Sequence, residues 1–92
     1  MVLSERVWKH ISERHPEVST YRGLVLDALA HPDLITRGKT AELKAIKRIT
    51  EIHLGRKYVV VVYREEGGRK AIITAYFTSS LKKIKGDVVW KA

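Results

Sequence analysis

Tyr58-Val59-Val60-Val61-Val62-Tyr63-Arg64-Glu65-Glu66-Gly67-Gly68-Arg69-Lys70-Ala71-Ile72-Ile73-Thr74-Ala75-Tyr76-Phe77 is the stretch on which the fold turns. Two runs of β-branched and aromatic residues flank a charged segment with a glycine pair at its middle, the pattern of a β-hairpin with a glycine turn. The first run is apolar throughout, as a strand covered on both faces is. The second alternates, with Thr74, Tyr76 and Thr78 on one face and Ile73, Ala75 and Phe77 on the other.

A lone hairpin is marginal in water and needs at least a third strand. Upstream, Leu34-Ile35-Thr36 has the composition of a short strand. The 42–52 segment reads two ways: Ala45, Ile46, Ile49 and Ile52 fit a helical stripe, whereas Leu43, Ala45, Lys47 and Ile49 fall on one side of a strand. Propensity favours helix, but the hairpin's need for a neighbour favours strand, and strand is the expectation adopted.

Two helices are expected before this sheet. Ser4 is placed to cap the first, with Leu3 and Trp8 at the positions of a hydrophobic staple and Val7, Trp8 and Ile11 as its apolar stripe; His15-Pro16 ends it. The second starts near Ser19 or Thr20, carries Tyr21, Leu24, Val25, Ala28 and Leu29, and stops at His31-Pro32. The expected fold is therefore α+β, two N-terminal helices packed on a small antiparallel sheet, in one domain spanning 1–92. Near the end of the chain, Trp90 is expected to pack back onto the domain or mark an interface.

Ninety-two residues, 45% of them hydrophobic, can form one core and not two. With no cysteine, disulfides, thiolate metal sites and cysteine nucleophiles are excluded. Neither a signal-peptide pattern nor a membrane-length apolar run is present, so a cytoplasmic location without membrane association is expected. Asparagine and glutamine are missing altogether while 30% of residues are charged, the compositional trend of a thermophile protein.

Eighteen Lys and Arg against ten Asp and Glu give a net charge of +8, and a surface so basic attracts polyanions. The excess is local. Between residues 5 and 27, Arg6, Lys9, Arg14 and Arg22 are matched by Glu5, Glu13, Glu17 and Asp27, whereas Arg37, Lys39, Lys44, Lys47, Arg48, Arg56 and Lys57 meet only Glu42 and Glu51. RNA is the expected partner, with Lys44, Lys47, Arg48, Lys82 and Lys83 as the residues that bind it.

Neither a phosphate-binding glycine loop nor a serine elbow occurs, and Glu65-Glu66 beside the turn is too exposed for a two-carboxylate site. His10 and His15, five residues apart, do not share a helix face, and no metal or cofactor is expected. The remaining inventory of His, Arg, Lys, Thr and Tyr suits RNA cleavage without metal. There the 2′-hydroxyl attacks the adjacent phosphate, a proton acceptor and a proton donor serve the two oxygens, and cations or hydroxyls hold the phosphorane.

The order of short motifs sharpens this. Trp8-Lys9-His10-Ile11-Ser12-Glu13-Arg14-His15-Pro16-Glu17, then Ala30-His31-Pro32-Asp33, then Ala45-Ile46-Lys47-Arg48-Ile49 with the Val-rich strand, and finally Ile72-Ile73-Thr74-Ala75-Tyr76, resemble the barnase, EndoU, colicin and RelE superfamily of ribonucleases, closest to its small phage and prokaryotic branches. The resemblance covers nearly the whole chain. It implies a RelE- or barnase-like fold and endoribonuclease (hydrolase) activity, with the chain as a toxin of a toxin-antitoxin pair and an antitoxin protein as its partner. Carried onto this sequence, it places the catalytic site on His10 as general base or acid, Arg14 as phosphate clamp, Thr74 as hydroxyl donor and Tyr76 as second donor or stacking platform, with His15 in reserve for His10. The alternative is a non-catalytic RNA-binding or protein-interaction module of the same fold, since a basic sheet with an exposed tyrosine also binds RNA by stacking and phosphate contacts.

Overall fold

The computed structural model describes residues 4–38, 40–49, 57–84 and 86–92. The expected α+β architecture is what the chain forms: two helices lie against an antiparallel sheet of five strands. Helix α1 (Glu5–Arg14) starts where Ser4 Oγ accepts from the Val7 N–H at 3.2 Å, a cap worth about 1 kcal/mol, and ends at His15. Leu3, the other half of the expected staple, lies outside the described residues. The second helix, α2 (Arg22–Ala30), begins two to three residues later than expected, because Pro16–Val18 first make a 3₁₀ turn that drives Val18 into the core. His31 ends it ahead of Pro32.

The strands are β1 (Leu34–Arg37), β2 (Leu43–Ile49), β3 (Lys57–Glu66), β4 (Arg69–Thr78) and β5 (Asp87–Lys91). Across the sheet their order is β4-β3-β2-β1-β5. The ambiguous segment is thus a strand over 43–49, paired with β3 from Leu43↔Tyr63 to Ile49↔Lys57, and positions 50–52 lie outside the described residues. The hairpin closes through Gly67 and Gly68, whose φ values of 56° and 79° give the left-handed pair that a tight two-residue turn requires.

One expectation on β4 fails. A bulge between Val62 and Tyr63 of β3 shifts the pairing from Val62↔Thr74 to Tyr63↔Ile72, so Ile73 is left over. Ile72 takes the inward position and Ile73 is exposed, contrary to the plain alternation that put Ile73 with Ala75 and Phe77.

The helices cover one face of β2, β3 and β4. Ile11, Val18, Val25, Ala28 and Leu29 meet Ala45, Ile49, Val59, Val61, Tyr63, Ile72 and Ala75 there in the main core. The other face is not open. A smaller cluster of Ile46, Val60 and Val62 is closed by Leu34, Tyr58, Tyr76 and Ile84, because the chain must cross from β4 at one edge to β5 at the other, and Ile84 packs underneath the sheet on the way. Strand β3 is therefore buried on both sides, as its unbroken apolar run requires.

Two lysines from the sheet join it to α2. That helix has no basic residue in its last turn, yet Lys47 Nζ donates to the His31 carbonyl at 3.0 Å and Lys70 Nζ to the Leu29 carbonyl at 3.5 Å. Each places a positive charge at the negative end of the helix dipole.

Candidate functional site

The edge strand β4 carries Thr74 and Tyr76, both half-buried on the face turned away from the helices. They stand two residues apart along the strand, roughly 7 Å. Among the described residues no strand lies beyond β4, and at this edge the Tyr76 ring meets His15 at 5.7 Å between centroids, tilted by 37°. Glu17 Oε1 lies 3.6 Å from His15 Nδ1. A carboxylate and a phenol ring thus each stand near one imidazole where α1 and the 3₁₀ turn pass β4.

Burial holds the Tyr76 hydroxyl above its ordinary pKa, so the phenol is neutral near pH 7 and acts there as a hydrogen-bond donor rather than a base.

Among the residues singled out in the sequence, His10 and Arg14 are exposed and one helical turn apart on α1, as their spacing implies. Five residues of α-helix separate His10 from His15, about 140° of rotation, so the two imidazoles leave the helix in different directions. His15 is the one that meets Tyr76. Arg14, its chain neighbour, ends the same helix and is exposed.

The basic residues separate by strand alternation. Lys44 lies across β3 from Thr74 through Val62, and Arg48 across it from Thr78 through Tyr58, which sets both on the face that carries Tyr76. Lys82 is exposed on a 3₁₀ turn, Leu81–Lys83, in the crossing segment; the side chain of Lys83 lies outside the described residues. Lys47 is different. It points to the helix side, where it caps α2 and pairs with Asp27 Oδ2 at 3.6 Å, so it stands apart from the expected RNA path. Glu17 is the residue that the sequence reading passed over. Its only signal was its place two residues after His15 across a proline.

No group of three or more His, Asp or Glu side chains suited to a metal ion occurs among the described residues. No helix among them is long and apolar enough to cross a membrane. Compared with protein-family models, curated proteins and solved structures, the chain finds no match.

Proposed function

We propose that this chain is a metal-independent endoribonuclease that works at the β4 edge. The observation that carries the reading is His15 beside both Glu17 and the Tyr76 ring on a protein of net charge +8. In this reading His15 Nε2 takes the proton of the ribose 2′-hydroxyl as that oxygen attacks the adjacent phosphorus. Thr74 and the neutral Tyr76 hydroxyl donate to the phosphorane oxygens, and Arg14 balances their charge. The 5′-oxygen leaves with the proton that His15 took up, which regenerates the imidazole, and the products carry a 2′,3′-cyclic phosphate and a 5′-hydroxyl. His10, the residue favoured by the resemblance, becomes a surface contact to RNA.

A second reading, RNA binding without cleavage, is favoured by the company Tyr76 keeps on its own face: Tyr58, Lys44 and Arg48 supply rings for stacking and cations for phosphates there. An antitoxin partner belongs to the first reading alone, since a toxic nuclease needs a restraint.

Incubating the chain with total RNA and a chelator separates the two. The expected result is fragments with cyclic phosphate ends, a loss of about 100-fold or more in rate for His15→Ala with the fold intact, and a much smaller loss for His10→Ala. Intact RNA together with a salt-sensitive mobility shift supports the binding module instead. Loss of cleavage in His10→Ala alone returns the proton-transfer role to His10.

A further inference from the structure

Acids and bases balance between residues 5 and 27, yet the fold sorts them onto different sides. Glu5 Oε1 accepts from Arg22 Nη1 at 2.8 Å, Glu17 lies beside His15, and Asp27 pairs with Lys47 on the helix side of the sheet. What remains of these charges is Arg6, Lys9, Glu13 and Arg14, all on α1, all exposed and none in an ion pair among the described residues. Glu13 follows Lys9 by four residues and offsets it. Arg6, His10 and Arg14 also follow one another at intervals of four, which makes one exposed stripe along α1 with a rise of about 6 Å per step.

That stripe has a definite side. Glu5 and Trp8 turn towards the first residue of α2, where the Arg22 guanidinium pairs with the one and lies 5.7 Å from the ring centre of the other. At about 100° per residue, Arg6, His10 and Arg14 project from the opposite flank of the helix. Helix α1 packs on the edge strand β4 and α2 on β3 and β2, so the flank of α1 turned away from α2 looks out past the β4 edge. On the reverse face of the sheet, Arg48 is exposed in the cross-strand row of Arg48, Tyr58 and Thr78, two strands or about 10 Å in from the same edge. His15 and Tyr76 stand between these two sets of cations, the first at the end of α1 and the second two residues along β4 from Thr78.

From cations on both sides of one edge we infer that the substrate is a single RNA strand that wraps the β4 edge, one flank of the scissile phosphate lying on Arg6 and His10 and the other on Arg48. That path presupposes the cleavage site proposed above and gives it a substrate class, RNA that is unpaired for several nucleotides around the cut. The molecule measures 20 Å along its shortest axis. A duplex, whose persistence length in DNA is about 50 nm, does not turn from one face to the other over such a distance. An unpaired strand does, and its bases are then free to stack on the half-buried rings of Tyr58 and Tyr76 on the reverse face.

Fluorescence anisotropy across a salt series, with a short RNA made uncleavable by 2′-fluoro sugars, tests this on the full chain. The unpaired RNA is expected to bind about tenfold more tightly than its own duplex. Arg6→Ala and Arg48→Ala are each expected to flatten the slope of log affinity against log salt by about 0.7, and the double variant by the sum of the two. Circular dichroism confirms the fold of each. The chain has no cysteine, so Arg6→Cys and Arg48→Cys each carry a single thiol. The RNA with a thiol-reactive group at one end is expected to couple to one of these variants, and the RNA with the group at its other end to the second. Equal affinity for the duplex, an unchanged slope in either alanine variant, or coupling of both thiols to the same end overturns the wrapped path. Cleavage of the matching 2′-hydroxyl RNA is read separately. Its absence with the path intact removes the nuclease reading alone, and cleavage with an unchanged slope in Arg6→Ala removes the path alone.

Discussion

Tyr63 shows at the scale of one residue how burial and chemistry pull apart. Desolvation, with Glu65 adding, holds its hydroxyl above the ordinary value of 10.0, and Tyr76 is raised by desolvation too. Above pH 10 the folded chain therefore keeps protons that the unfolded chain has lost. The stability tied to that difference is whole below the unfolded pKa and is lost as pH rises through the folded one. Tyr63→Phe is expected to change stability at pH 7 by no more than about 1 kcal/mol and to make the alkaline decline shallower. Urea titrations at pH 7 and above pH 10 check both. A large loss at neutral pH would mean that the hydroxyl makes a hydrogen bond the fold depends on.

At the scale of elements, the hairpin and β2 carry the arrangement. Gly67 and Gly68 have open space where a Cβ would stand, so a substitution there costs conformation and not contact. Gly68→Ala is expected to lose about 1 kcal/mol, measured by thermal unfolding, through the turn alone. Strand β2 makes a sharper test because neighbouring cations point opposite ways. Arg48 lies on the face with Tyr58 and Tyr76, whereas Lys47 caps α2. Arg48→Glu is expected to weaken RNA binding several-fold with little effect on stability. Lys47→Met should leave RNA affinity near wild type and lower stability by about 1 kcal/mol. Equal losses of affinity in the two variants would show that strand alternation does not govern the RNA contact.

Over the whole molecule, the sheet separates three surfaces. Helices seal one face, the crossing segment with Ile84 partly closes the other, and the bare edge of β5 remains. The crossing arises because β4 and β5 lie at opposite edges although they follow each other in the chain. Its entry into β5 is tight: Gly86 has φ of 126°, and a Cβ there would run into the Arg37 carbonyl oxygen. That glycine fixes where the chain meets β1. The proposed catalytic edge at β4 and the exposed edge at β5 accordingly lie at opposite ends of one sheet.

Much of this was legible in local chemistry. The hairpin, the Ser4 cap, the His15-Pro16 and His31-Pro32 stops and the alternation of Leu43, Ala45, Lys47 and Ile49 act over a few residues, where turn preference, capping and side-chain period dominate. The α+β class follows from them, since two apolar helix stripes and a hairpin have only each other to cover. The rest needed contacts between residues far apart in the chain. The bulge that ejects Ile73 depends on register with β3, and the assignment of Lys47 to α2 depends on where that helix ends above the sheet. The meeting of His15 with Tyr76 in place of His10 depends on the rotation of α1 against the β4 edge, and strand order alone made β5 an edge. Such pairings are chosen by packing of the whole core, for which a local sequence pattern carries no coordinate.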